Sequence, residues 1–384
     1  MGERVTVPVN DPQAPVLLFE HQTPSGHVLA EARLNVEATL NSLSLPMIDI
    51  LRPALDRWAD DDAVAGILLT GAGERAFSAG GDIQALYRAM VRNHEAGAIV
   101  DDYPDRFFEH EYRLDYRIHT YPKPVISVGH GVVMGGGLGI FSGARHRVVT
   151  EKSRIALPEV TIGLFPDAGA TWLLRNMPAH VATFIATTGA HVNGADAVAV
   201  GVATHAVAAA ERDRIREGLL HLSWTGVTAT DHDRVRDCLD SVAAAAPATL
   251  PEAQAAALPA SLSPAGEALD VAERVRALAG TSPWVDGGIA TMNRGCPTSV
   301  GIAVQQLQRA GAMSLADTFR MELIVATHCA RHRDFAEGVR ALIIDKDNRP
   351  QWQFGRLEDL PADYVAEHVT APWPANPLAD LEGA

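Results

Sequence analysis

Gly135-Gly136-Gly137, followed by Leu138-Gly139, constrains this chain more than any other segment. Each glycine weakens a helix by roughly 1 kcal/mol relative to alanine. Yet the run comes after an apolar strand at 124–128 and opens an apolar helix. A chain that accepts that cost is making room for something large against its backbone. The run is not a dinucleotide fingerprint. Gly137-x-Gly139 lacks the third glycine, Ser142 standing there.

The segments around it set the fold class. Strands are expected at 16–19 and 28–34, with Pro24-Ser25-Gly26 as the turn between them. A helix from Ser44 places Met47, Ile48, Leu51, Leu55 and Trp58 at helical spacing, with a kink at Pro53. A buried strand at 64–70 ends in Gly71-Ala72-Gly73, and short strands fall at 147–150 and 155–157. Strands alternating with helices to about residue 205 predict an α/β architecture. From 208 to 290 the chain is rich in Ala, Glu, Asp and Arg and broken near Pro247, Pro251 and Pro259, so it reads as helices and linkers. A pair of amphipathic helices over 298–339, a strand at 341–344 and a loose tail after Pro372 complete the reading. The expected divisions are a core at 1–207, a helical insert at 208–290 and a C-terminal helical region at 291–384.

A formal charge of −15 argues against broad nucleic-acid binding, which needs a basic face. Cys238, Cys296 and Cys329 are far apart, odd in number and without a CxxC pair, so neither a disulfide framework nor a zinc site is indicated. That usage, with no apolar signal-peptide core in Met1 to Asn10, leads us to expect a cytoplasmic setting. The weakly apolar run at 197–210 is too short to span a bilayer, so no membrane association is expected.

Pro158-Glu159 and Pro166-Asp167 put two carboxylates eight residues apart across a loop punctuated by Pro and Gly. Two acids near bare backbone amides suit carbonyl chemistry: amides hold an oxyanion, and acids move protons or attack. Ala79-Gly80-Gly81-Asp82 reads as a tight turn with Asp82 as a helix cap, or as a backbone open to a ligand. His130 reads as a histidine satisfied by a nearby carbonyl. Glu109 and Glu111 lie in an acidic, aromatic helix, where a solvated face is the plain reading. The absence of G-x-S-x-G and H-E-x-x-H disfavours a serine triad and a zincin.

Together, the segment 76–82, the triple glycine and the Pro-Glu…Pro-Asp loop resemble the crotonase (enoyl-CoA hydratase/isomerase) superfamily in order and spacing. The likeness covers roughly 15–205 and 290–370. Within that superfamily the chain is similar to the 3-hydroxyisobutyryl-CoA hydrolases. Asp167 stands where hydratases usually carry glycine, and Gly139 where they carry a second catalytic glutamate. Asp334-Phe335-Ala336-Glu337-Gly338, continuing to Pro350-Gln351-Trp352, resembles the hydrolase C-terminal signature. One departure is Asn35-Val36-Glu37-Ala38, with glutamate where many crotonases carry lysine.

The resemblance implies a crotonase-like ββα spiral core with an additional helical C-terminal region. It implies Gly81 and Gly136 as oxyanion-hole amides, Glu159 and Asp167 as catalytic acids, and Glu111 as an acid touching substrate. The implied partner is an acyl-CoA, with CoA arriving as part of the substrate and no separate cofactor or metal. A homo-oligomer is compatible with it. The implied activity is thioester hydrolysis in valine breakdown, with an enoyl-CoA hydratase or a catalytically silent acyl-CoA-binding protein as the alternatives.

Overall fold

The computed structural model describes residues 11–245, 248–255 and 258–382, so Met1 to Asn10 and Pro247 lie outside the described residues. In chain order the elements begin β1 (Val16–Gln22), β2 (Val28–Leu34), α1 (Leu45–Asp60), β3 (Val64–Gly71), β4 (Ala76–Ser78), α2 (Ile83–Ala96) and α3 (Tyr103–His119). There follow β5 (Val125–Gly129), β6 (Val132–Met134), α4 (Gly136–Gly143), β7 (His146–Val149), β8 (Arg154–Ala156), α5 (Ala170–Arg175), α6 (Ala179–Thr188), α7 (Gly194–Ala199) and β9 (His205–Ala206). The rest is helical: α8 (Arg212–Leu220), α9 (Thr228–Ala245), α10 (Ala268–Arg276), α11 (Pro283–Arg294), α12 (Pro297–Ala310), α13 (Leu315–Arg331), α14 (Arg333–Val339) and α15 (Ala362–His368).

These elements form two units that interleave along the chain. The first comprises the segment ending at Gly81, Leu114–Ile155 and Val192–Ala253; the second comprises Asp82–Arg113, Ala156–His191 and the segment from Gln254.

In the first unit, a six-stranded sheet runs in the order β1-β2-β3-β5-β7-β9. Only β1 and β2 pair antiparallel, Val16 opposite Leu34; every later pair is parallel, with Ile67 beside Val125, Ile126 beside His146 and Val148 beside His205. Parallel strands are covered on both faces and so need continuous apolar runs, which 64–69 supplies. α8 and α9 bring Ile215, Leu219, Val235 and Leu239, with Trp224 between the two helices, onto Leu29, Leu68, Ile126 and Val148. A Cβ on Gly66 would lie 2.6 Å from the Trp224 ring, so the strand is bare where the indole rests. A second sheet has the order β4-β6-β8. β4 and β6 pair in parallel, and each runs out into one of the glycine segments.

The second unit is mostly helical. α12 packs against α5, α6, α10 and α15, while α2 packs against α13 and α14. The strand expected at 341–344 is instead a π-helical turn, Arg340–Ile344, that continues α14. Arg340 donates to Glu337, Asp345 and Asp347 and winds the chain closed around its guanidinium. A four-residue apolar run has no periodicity by which a strand could be told from a helix. The tail after Pro372 is not loose either. Arg113 donates to the Pro377 carbonyl and to Asp380, Arg320 donates to the Leu378 carbonyl, and the Leu378 side chain is fully buried.

Candidate active site

In the first unit the two glycine segments run side by side. A Cβ on Gly80 would lie 3.2 Å from the Met134 carbonyl and 3.6 Å from the Gly136 nitrogen. Gly135 caps α4 at φ 50°, ψ −132°, a conformation closed to residues with a Cβ, and so turns the chain directly from β6 into the helix. Leu43 donates to the Gly80 carbonyl at 2.7 Å and holds the other segment in place. The N–H groups of Gly81 and Gly136 donate to no acceptor among the described residues. Two such amides, one of them at a helix start, are left to donate to an acceptor bound beside them. His130 is satisfied as expected, its Nε2 lying 2.9 Å from the Gly73 carbonyl.

The second unit gathers the acids. Glu159 opens a 3-10 turn, Glu159–Thr161, which the chain clamps from two sides. Cys296 donates to the Val160 carbonyl at 2.8 Å, and Gly163, at φ 74°, packs directly on the Asp334 backbone. The Asp334-Phe335 signature read in the sequence is therefore part of what shapes the Glu159 turn. Glu159 is 3% exposed, yet neither carboxylate oxygen bonds to another described residue. A buried polar group without a partner is costly, and a native protein that retains one generally has a use for it.

Asp167 is held differently. The Tyr112 hydroxyl, from α3, donates to its Oδ2 at 2.8 Å. The chain then turns through Ala168 and Gly169, both at positive φ, into α5. Glu322 of α13, fully buried, receives the Gly169 N–H at 2.7 Å, the Thr171 N–H at 2.9 Å and the Thr171 hydroxyl at 2.6 Å. Gln306 of α12 donates to the Pro166 carbonyl and to the Thr171 hydroxyl.

Glu111 corrects the residue-level expectation. It is buried at 2% exposure rather than solvated, with Oε1 unbonded. Its neighbour Glu109 behaves as expected at the surface, bonded to Arg113 at 3.1 Å. Helix α3 has an aromatic, inward face, and Glu111 sits on the same side as Phe107, Phe108 and Tyr112.

Four buried carboxyls, Glu111, Glu159, Asp167 and Glu322, cannot all be ionised together. Burial first, and the negative charge of Asp167 second, hold Glu159 and Glu111 well above the usual carboxylate range. Burial pushes Asp167 up to about 7 against the opposing pull of the Tyr112 bond. Burial likewise brings Glu322 to about 7, opposed by its Thr171 and Gly169 donors. Such a group exchanges protons at neutral pH, which ordinary carboxylates do not. Among the described residues, His328, His332 and Glu367 place potential metal-ligating atoms within 4.8 Å of one another. They share no residue with the acid cluster, and His328 and His332 are already engaged by the Thr370 carbonyl and the Tyr364 hydroxyl.

Residues 29–369 match the family model described as enoyl-CoA hydratase/isomerase. The chain belongs to that family. Among curated relatives, a zebrafish (Danio rerio) protein named 3-hydroxyisobutyryl-CoA hydrolase, mitochondrial, is 34% identical over 91% of this chain and 88% of its own length. The human (Homo sapiens) protein of that name is 30% identical over 91% of this chain and 90% of its own. Among solved structures, a carnitinyl-CoA dehydratase from Mycobacterium thermoresistibile aligns with a TM-score of 0.81 at 29% identity, covering 96% of this chain and 99% of that one. An enoyl-CoA hydratase from Rhodobacter sphaeroides 2.4.1 aligns at 0.74 and 28%, covering 93% and 98%. The crotonase fold with its added C-terminal helices is thereby established for this family member.

Sequence reasoning did not single out Tyr112 or Glu322. The signal for Glu322 was present: it is a lone carboxylate inside the apolar run Met321–Val325 of α13. Tyr112 carries no such mark, because an aromatic in an amphipathic helix reads as core.

Proposed function

We propose that the protein hydrolyses the thioester of 3-hydroxyisobutyryl-CoA, and by the same chemistry 3-hydroxypropionyl-CoA, to the free hydroxy acid and CoA. The observation that carries this reading is the pair Glu159 and Asp167, one carboxyl buried with both oxygens unbonded and one anchored by Tyr112. The curated relatives' name supports it, as does glycine at 139, where a hydratase would carry its second carboxylate.

In this reading the Gly81 and Gly136 amides polarise the thioester carbonyl. Glu159 attacks the carbonyl carbon, giving a mixed anhydride that water cleaves, or it takes a proton from the attacking water. Either role needs its carboxylate, which forms most readily while the pair's proton rests on Asp167. Asp167 hydrogen-bonds the substrate's hydroxyl, and Glu111 touches the acyl group. The C–S bond breaks, and the thiolate leaves as CoA. CoA belongs to the substrate, and no separate cofactor or metal is required. Valine breakdown is the setting that fits this substrate. The three free cysteines fit a reducing setting such as the cytoplasm, and the word mitochondrial belongs to the relatives' names.

The test offers 3-hydroxyisobutyryl-CoA and crotonyl-CoA in parallel, following thiol release from the first and loss of the enoyl chromophore from the second. Thiol release that disappears in Glu159→Ala, with crotonyl-CoA untouched, supports the hydrolase. Hydration without thiol release would make the chain a hydratase, in line with the names of its structural neighbours.

A further inference from the structure

The loop that carries Asp167 has no regular structure of its own to hold it. Between Pro166 and α5 it passes through Ala168 at φ 56° and Gly169 at φ 82°. A non-glycine residue in that region costs of order 1 kcal/mol and persists only where its surroundings over-determine it. Here the largest share of those surroundings is one side chain, Glu322, with Gln306 and Tyr112 beside it. Glu322 accepts three donors from two residues of the loop, the Gly169 N–H, the Thr171 N–H and the Thr171 hydroxyl, with one carboxylate oxygen on each side of the turn. Gln306 fastens the same loop from α12 through Pro166 and Thr171. Glu322 is fully buried, and these loop donors are what hold its carboxylate.

We infer that Glu322 is a positioning residue for the reaction: it locks the 166–171 turn so that Asp167 meets the hydroxyl of the acyl group, and it thereby sets the enzyme's preference for hydroxyacyl over plain acyl thioesters. This rests on the hydrolase reading for its substrate, but its structural half stands independently. Glu322 acts through Asp167 and does not touch the acyl group. Tyr112 fixes the far oxygen of Asp167, and Glu322 fixes the backbone that carries it, so the carboxyl is held at both ends.

The experiment compares Glu322→Gln and Thr171→Val with the wild type. Glutamine keeps the shape but replaces one acceptor oxygen by a donor facing an N–H. Valine keeps the Glu322 charge and removes only the hydroxyl. Two readouts are taken: kcat/KM for 3-hydroxyisobutyryl-CoA against isobutyryl-CoA, and amide exchange of the peptide containing Gly169 and Thr171. In both variants the hydroxyl preference should fall by about tenfold to a hundredfold, as expected for a group misplaced by about 1 Å. Hydrolysis of isobutyryl-CoA should hold near its wild-type rate, and the Gly169 and Thr171 amides should exchange faster. A merely structural role would depress both substrates together, which would overturn the inference. So would a loss of preference in Glu322→Gln that Thr171→Val does not share, since that would be an effect of charge. Unchanged amide protection in Glu322→Gln would overturn it whatever the wild type hydrolyses. Absence of thiol release from wild type on either substrate would refute the hydrolase reading and with it the selectivity half.

Discussion

Asp167→Asn should make the protein more stable, and more so as the pH rises. An aspartate in water ionises near 3.8, whereas burial pushes Asp167 up to about 7. Between those values the folded protein holds a proton that the unfolded chain has released. Stability therefore falls as pH climbs through that window and stays lower above it. Each unit is worth about 1.36 kcal/mol, so ionising Asp167 in place costs at most about 4 kcal/mol. Asparagine never ionises, and its oxygen still accepts the Tyr112 hydroxyl. Because Asp167 and Glu159 titrate together, removing the Asp167 charge also lets Glu159 ionise more easily, which adds to the gain, so the variant should be more stable near pH 8 by about 4 kcal/mol or more. The assay is urea unfolding of both proteins near pH 4 and near pH 8. Fluorescence and circular dichroism should both be followed, so that coincident transitions license a single free energy. The expected result is near equality at the acid pH and a more stable variant at the alkaline one. Thiol release should meanwhile be lost, a stability gained at the expense of function. A variant no more stable near pH 8, or equally stabilised at both, would refute the account of Asp167 as a strained acid.

Three further outcomes test other parts. Tyr112→Phe removes the donor that favours ionised Asp167, a bond worth about 1.5–3 kcal/mol, so the Asp167 carboxyl should titrate about 1–2 units higher by carbon NMR; an unmoved titration would count against that bond. Gly163→Ala combines a positive φ with overlap on the Asp334 carbonyl and should lose about 2–5 kcal/mol in urea unfolding. Gly201→Ala, also at positive φ but with open space around it, should lose only about 1–2 kcal/mol, and equal losses would dispose of the packing argument. Burial alone would push Glu31 up, but the His21 bond and the Arg33 and Arg216 charges bring it down to about 2 from 4.5. That contribution, about 3 kcal/mol, is present above pH 4.5 and fades as the pH falls toward 2. In acid titrations Glu31→Gln should lack this loss; a variant with the same acid slope as wild type would contradict it.

The helix at Gly136 and the Asp82 cap were legible in the sequence because each depends on neighbours a few residues away, and the α/β class followed from strands alternating with helices. That His130 would be satisfied was legible too, but not its partner, Gly73, 57 residues earlier. Asp82 caps α2 by accepting the Ala85 N–H three residues on, and the apolar 64–69 run, bounded by Asp61-Asp62 and Gly71-Ala72-Gly73, formed the buried strand expected of it. The family could be read as well, since its motifs are local strings. Tertiary structure decided the rest. Whether Glu111 faces water or core turns on Tyr112 and Phe108 packing inward with it, and helical spacing alone leaves that side undetermined. The run 341–344 became a turn because Arg340 found three carboxylates. Glu322 gained its place through donors some 150 residues earlier in the chain. Carboxyl pKa values follow the same division: sequence names the acids, but only their common burial, away from water and beside one another, raises them, Asp167 to about 7.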